Sequence, residues 1–203
     1  TFVPYFLALV DPRSPKAWRT ENDYLDESLG RMHRMNAPSS LLPYLLQVLR
    51  SVDKGLLSEP EAIRNFMLVE SFLVRRSFAG LEPTGLHAVF KDLWQHTEGD
   101  AYKAQERIDG NPTVRFPSDE EFSSDIKNRG LYRRKLAKYI VLEYERDLRG
   151  GDPLPEVDAD KVTLDHIIPQ TVTPDWLELI SVEDHEKLVH TWANLVPLSG
   201  SAN

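Results

Sequence analysis

Four residues toward the end of the chain carry side chains that together could hydrolyse a phosphodiester. Asp165 and His166 are adjacent and interrupt a short apolar run, Asn194 lies in a second apolar run, and Asn203 follows it. Carboxylate and amide oxygens suit a hard divalent cation. A neutral histidine, with a pKa of about 6.5, can accept a proton from water. This order of residue types predicts a one-metal hydrolytic site in which His166 is the general base.

Each of these residues also has a plainer interpretation. A lone histidine is more often a core or surface residue than a catalyst. Asp165 could form an ion pair with Lys161, and Asn194 could serve only in a turn. His190, just before the second apolar run, could contact a phosphate. The close succession of Asp165 and His166 favours the catalytic interpretation.

The elements expected to position these residues are two short strands with a helix between them. β-Branched residues predict a strand over Val162–Ile168, and a second strand is expected over Asn194–Leu198. Ser181–His190 has the apolar spacing of a helix. Neighbours on a strand point to opposite faces, so Asp165 and His166 can border one cavity only where the strand ends.

The chain from Ser14 to about Arg149 has helical periodicity. Gly150 and the prolines after it predict a linker over 150–160. The expected organisation is a helical region at 1–149 and a catalytic unit at 161–203, packed as one compact unit. The predicted helices are Ser39–Lys54, Ser58 to about Gly80, Leu86–Gln95, Ala101–Ile108, a helix capped by Ser118–Glu121, and Leu131–Leu148.

Composition is that of an ordinary globular protein, with 203 residues, no cysteine and a net charge of −8. The absence of cysteine excludes disulfides and thiolate metal sites and favours the cytoplasm. No run approaches the about 20 apolar residues of a membrane span, so no membrane partner is expected. Because the chain begins at Thr1 and stops at Asn203, we expect a fragment of a longer protein.

Basic residues are concentrated in two places despite the acidic total. Arg75 and Arg76 form one pair, and Arg133, Arg134 and Lys138 belong to the second cluster. A local basic face can bind DNA on an acidic protein. The alternative is a solvated helix face, which explains most such clusters.

The residues around the candidate site resemble a known family. Thr163–Gln170, Trp176, Asn194–Ser199 and Asn203 resemble the C-terminal nuclease domain of GmrSD-type modification-dependent restriction enzymes and of SspE-like phage-defence proteins. The resemblance extends upstream to about Ser58. Weaker similarity is carried by the helical segments Val74–Leu81, Leu86–Phe90 and Lys138–Glu145.

The resemblance implies a ββα-metal, or His-Asn-His (HNH), endonuclease. It assigns Asp165 and Asn203 to a metal ion, Mg²⁺ or Mn²⁺, His166 to the base, and Asn194 to a residue that steadies the hairpin and the histidine. Ala193 stands where the family usually has glycine, which indicates ordinary backbone angles there. The last helix of the ββα unit is missing from this chain.

The leading hypothesis is a mainly α-helical, metal-dependent DNA endonuclease or nicking domain of a bacterial anti-phage restriction system. The resemblance implies a partner as well, a modification-sensing or nucleotide-hydrolysing domain on the same polypeptide or on another subunit. Two alternatives stay open. One is a helical interaction module with an inactive nuclease motif, and the other is an HNH nuclease that acts on RNA.

Overall fold

The computed structural model describes residues 1–81, 84–111, 113–150 and 162–199. Within them the chain is mainly helical, with one two-stranded sheet, as predicted. The α-helices are α1 (Val3–Val10), α2 (Asp23–Met35), α3 (Leu42–Asp53), α4 (Glu59–Phe78), α5 (Leu86–Phe90), α6 (Leu93–Thr97), α7 (Ala101–Asp109), α8 (Asp119–Asn128), α9 (Ala137–Leu148), α10 (Pro174–Leu177) and α11 (Val182–Leu188). The strands are β1 (Val162–His166) and β2 (Leu195–Ser199).

The chain divides into two compact units. The first comprises Thr1–Leu73 and Glu82–Phe116, and the second comprises Val74–Leu81 and Pro117–Asn203. This division does not coincide with the one drawn from composition. Apart from Gly150, the predicted linker at 150–160 lies outside the described residues.

The first unit is built around aromatic side chains of its helices. Tyr44, Phe66, Phe72 and Phe90 are almost completely buried. Buried Asn65 accepts a hydrogen bond from the Tyr44 hydroxyl and donates to the carbonyls of Glu61 and Gly99, so the polar groups in this core are satisfied. No residue proposed for catalysis lies in this unit.

The second unit holds the predicted catalytic residues. β1 and β2 are antiparallel, with Asp165 opposite Val196 and His166 opposite Leu195. The connection between the strands carries α10 and α11. Val162 and Leu195 are buried on the hairpin, and burial of their apolar surface favours this strand pairing.

Helix boundaries follow the local sequence where a capping residue is present. α8 begins with a complete capping box, in which Ser118 accepts from the Glu121 amide and the Glu121 carboxylate accepts from the Ser118 amide. At α4, Ser58 accepts from the Glu61 amide. The Glu61 carboxylate bonds to the Ala101 amide instead of closing the box.

Several predicted boundaries were wrong, and the errors share a cause. Leu86–Gln95 forms two short helices, and the helix predicted from Leu131 begins at Ala137. β1 ends at His166, and the helix expected over Ser181–His190 spans Val182–Leu188. The apolar spacing of a helix or strand continues into the turn that follows it, where tertiary contacts end the element. A prediction from spacing alone therefore makes the element too long.

The described residues contain no helix that is both long enough and apolar enough to span a membrane.

Candidate active site at the hairpin end

His166 is the last residue of β1 and lies at the centre of an aromatic and imidazole cluster. Its Nε2 is 3.3 Å from Nδ1 of His190. The Tyr132 ring meets the His166 ring edge to face, with centroids 4.2 Å apart. The same tyrosine ring is nearly parallel to the His190 ring, at 5.7 Å and 9°. The three rings therefore hold one another in defined orientations, and we call them the ring cluster.

The His166 ring is only half-exposed, and its surroundings disfavour the protonated form. Burial lowers the pKa of His166 below its ordinary value of 6.5, and positive charge on His190 acts in the same direction. The Asp165 carboxylate opposes both effects but does not overcome them. The surroundings of His166 thus favour the neutral imidazole, which is the form a general base requires.

Asp165 lies beside His166 but contacts its backbone and not its ring. One carboxylate oxygen accepts a hydrogen bond of 2.8 Å from the His166 amide. Asp165 is half-buried, and this bond uses only one of its two carboxylate oxygens.

Asn194 is buried at 4% exposure and ties the hairpin together through its side-chain amide. Its Oδ1 accepts from the Ile168 amide at 2.7 Å, and its Nδ2 donates to the carbonyls of Ile168 and Val189 at 3.0 and 2.9 Å. Its backbone carbonyl accepts from the Ile167 amide at 3.0 Å. Asn194 therefore fixes the backbone after His166 to the backbone before His190, and its amide bonds go to backbone groups, not to the imidazole.

Asn194 ends a short 3₁₀ turn, Trp192–Asn194, directly before β2. Ala193, at the position where the family usually has glycine, lies in this turn. It is not among the residues with positive φ, so the ordinary backbone angles expected from alanine are confirmed.

The turn at 130–132 supplies the part of the cluster that sequence reasoning missed. The Leu131 and Tyr132 amides both donate to the His190 carbonyl, at 2.7 and 3.3 Å, and Gly130 pairs with Thr191. A Cβ on Gly130 would lie 3.2 Å from Cβ of His190, tighter than most real contacts. Glycine thus permits the close approach that brings Tyr132 onto both histidines.

His185 has a structural role. It is 7% exposed, and its Nε2 lies 2.8 Å from the Pro169 carbonyl. Because a carbonyl only accepts, the Nε2 of His185 carries the proton and donates. This bond ties α11 to the residues that follow β1. The apolar spacing of that helix does not correspond to a buried face throughout, because Val182 and Leu188 are exposed.

The predicted DNA contacts fall into different environments. Arg76 is 5% exposed, so we correct its assignment, because a phosphate could not reach it without opening the fold. Arg75 donates to the Pro117 carbonyl, pairs with Asp119 and lies over the Phe122 ring, which makes it a structural link to the start of α8.

Arg133, Arg134 and Lys138 remain the predicted basic face. Arg133 is exposed, while Arg134 and Lys138 are half-exposed. The Arg134 guanidinium lies against Gly80, where a Cβ would be 2.7 Å from one of its nitrogens. Arg133 directly follows Tyr132, so a basic side chain stands next to the ring cluster.

A metal ion at this site would depend on few protein ligands. Within the described residues, no group of three or more histidine, aspartate and glutamate side chains could hold an ion. Asn203, the second predicted ligand, lies outside them. The half-exposed Asp165 carboxylate fits Mg²⁺, which is commonly bound through one or two carboxylates, water and substrate phosphates.

One comparison with known proteins bears on this geometry. Residues 116–203 match the family model described as GmrSD restriction endonucleases, C-terminal domain. The resemblance inferred from the residues around His166 is thereby confirmed over this segment. No curated protein and no solved structure was found to match the chain.

The matched segment contains the ring cluster, the hairpin and the α8–α9 helices. Its first residue, Phe116, adjoins Pro117, where the main part of the second unit begins. The segment that matches the GmrSD C-terminal model and the main part of the unit that holds His166 thus cover nearly the same residues.

Proposed function

We propose that this chain is the metal-dependent DNA endonuclease or nicking part of a bacterial anti-phage restriction system. The observation that carries the proposal is the oriented imidazole of His166 beside Asp165 at the hairpin end, inside a segment that matches the GmrSD restriction endonuclease domain. A modification-sensing or nucleotide-hydrolysing domain, on the same polypeptide or on another subunit, belongs to the proposal as its partner.

In the proposed reaction, His166 accepts a proton from the water that attacks phosphorus. The contact between Nε2 of His166 and Nδ1 of His190 and the packing of Tyr132 keep the His166 ring from rotating, so the orientation of the base is established before the substrate binds. The Asn194 amide holds the backbone at Ile168 and the backbone at Val189 together beside the ring. Asp165 would hold Mg²⁺ or Mn²⁺ together with Asn203, and the bound ion would polarise the phosphate and stabilise the leaving 3′ oxygen.

Charge favours an approach of the substrate from the side of the 130–132 turn. Arg133 and Lys138 lie close to that turn in sequence. The connection between the strands is acidic, with exposed side chains at Asp175, Glu178, Glu183, Asp184 and Glu186. A phosphate backbone is attracted to the first surface and repelled by the second, which supports a nucleic-acid substrate that runs along the basic side.

Metal removal tests the proposal directly. Supercoiled plasmid should be nicked or linearised with Mg²⁺ or Mn²⁺, and excess EDTA should abolish the cleavage because the leaving oxygen loses its charge stabilisation. Gel electrophoresis measures both results, and re-addition of the ion after EDTA is the control. Cleavage that survives EDTA would remove the metal from the mechanism.

Substrate competition separates the alternatives. Structured RNA added in excess should not slow plasmid cleavage if DNA is the substrate. Preferential cleavage of RNA would establish the RNA-directed alternative. No cleavage of either polymer with any divalent ion would leave the inactive interaction module.

The pH dependence follows from the environment of His166. The lowered pKa means that the base stays deprotonated to a lower pH than an ordinary histidine. We therefore expect the ascending limb of kcat/KM against pH, which reports the free enzyme, to have its midpoint below 6.5. Steady-state rates across acidic and neutral pH measure it, and a midpoint clearly above 6.5 would contradict the inferred environment.

A further inference from the structure

The contact between His166 and His190 also bears on which nitrogen of His166 carries the proton. We infer that His190 is a positioning residue. Its Nδ1 accepts a hydrogen bond from the protonated Nε2 of His166, and this bond selects the tautomer in which His166 can act as a base. The catalytic meaning of this inference rests on the proposed function. The tautomer itself does not, and it can be measured independently.

Two neutral imidazoles share two N–H protons between four ring nitrogens. Each ring has one N–H and one unprotonated nitrogen, so a bond between Nε2 of His166 and Nδ1 of His190 must have one donor and one acceptor. If His166 donates, its own Nδ1 carries a lone pair. If His190 donates, His166 is protonated on Nδ1 and its only lone pair is engaged by His190. A base at this position therefore requires the first arrangement.

The second nitrogen of His166 is consistent with that arrangement. Its Nδ1 is buried and has no hydrogen-bond partner among the described residues. An N–H at Nδ1 would be a buried donor without an acceptor, which costs free energy, so the burial of this nitrogen favours a lone pair there. The bond to His190 leaves that lone pair unengaged, and water reaches it only when the side chains that cover Nδ1 move.

His190 is suited to this role because its own backbone is fixed from both sides. Its carbonyl accepts from the amides of Leu131 and Tyr132. The carbonyl before it, that of Val189, accepts from the Asn194 amide, and Thr191 after it pairs with Gly130. The Tyr132 ring then stacks on the His190 imidazole.

The competing role for His190 is the phosphate contact expected from the sequence. That role would use Nε2, the nitrogen that does not face His166. The two roles differ in which ring nitrogen matters, and two amide substitutions distinguish them. In His190→Asn the amide oxygen can occupy the position of Nδ1, whereas in His190→Gln the amide group extends to about the position of Nε2.

Steady-state kinetics of the 203-residue chain on plasmid DNA gives the first test. We expect His190→Ala to lower kcat about 10- to 100-fold, the usual effect of removing a group that orients a functional histidine, with little change in KM. His190→Asn should recover most of kcat, and His190→Gln should not. Recovery by Gln alone, or a defect confined to KM, would overturn the inference in favour of the phosphate contact.

The tautomer is measured directly by ¹⁵N NMR of the histidine rings, at a pH where both are neutral. We expect His166 to be protonated on Nε2 in the unsubstituted protein and in His190→Asn, and to become a mixture of tautomers in His190→Ala. Protonation on Nδ1 in the unsubstituted protein would overturn the inference even if His190→Ala failed to fold.

The NMR readout also separates the two hypotheses. If His166 has the inferred tautomer but His166→Ala cleaves DNA as fast as the unsubstituted protein, the proposed function fails and the positioning contact stands. If His166→Ala is inactive but the tautomer is reversed, the proposed function stands and the role of His190 is excluded.

Discussion

His166→Ala is expected to reduce the rate of plasmid cleavage by a factor of about 10² to 10⁴, the usual contribution of a general base. Without the His166 imidazole, the attacking water loses the base that we propose for it. The effect should appear in kcat because the ring acts on the attacking water and not on the binding of DNA. Initial rates with a saturating divalent ion measure it.

Two controls make this result specific. His166 is half-exposed, so its removal should leave thermal unfolding and DNA binding nearly unchanged. His87→Ala, which changes an exposed histidine of the first unit, should cleave at the unsubstituted rate. If His166→Ala retains full activity while folded, the assignment of the base is wrong and His190 becomes the next candidate.

Asn194→Ala is expected to have the largest effect on stability, about 3 kcal/mol of unfolding free energy in the second unit. The substitution leaves the Ile168 amide and the carbonyls of Ile168 and Val189 without their partner. Each buried polar group that loses its bond costs about 1 to 3 kcal/mol. Some of these groups will form hydrogen bonds to water, so the loss of unfolding free energy is smaller than the sum of the three separate costs.

Hydrogen exchange of the Ile168 amide measures this effect where it arises, because that amide donates to Oδ1 of Asn194. Its protection should be lost in Asn194→Ala. Asn194→Asp should not rescue it fully, since a second oxygen would face the two carbonyls that now receive an N–H. Asn128→Ala is the matched control, because Asn128 is exposed and surface changes usually stay within about 0.5 kcal/mol.

Unchanged protection of Ile168 in the Asn194→Ala protein would show that the β1–β2 hairpin holds without the amide. Asn194 would then have to act on the site in another way. The local measurement is preferable to a single melting temperature because the chain has two compact units, and a two-state treatment of the whole chain is not assured.

The sequence alone determined the features that depend on neighbouring residues. Ser118 and Glu121 predicted the start of α8, and β-branched residues located β1 to within a few residues. The string from Thr163 to Gln170 carried the resemblance that the match at 116–203 confirmed. Capping, periodicity and motif spacing act over a few residues, so they can be recognised without knowing the fold.

Only the tertiary structure decided which side chains surround His166. Tyr132 and His190 are 34 and 24 positions away in sequence from His166, and they meet because the 130–132 turn bonds to the backbone before β2. Apolar periodicity had placed Tyr132 inside a helix. The arginine pair at 75–76 was an equal candidate for DNA from charge alone, but packing buried Arg76. Contacts between segments that are distant in sequence depend on the tertiary fold, and the local sequence pattern carries no information about which distant segments meet.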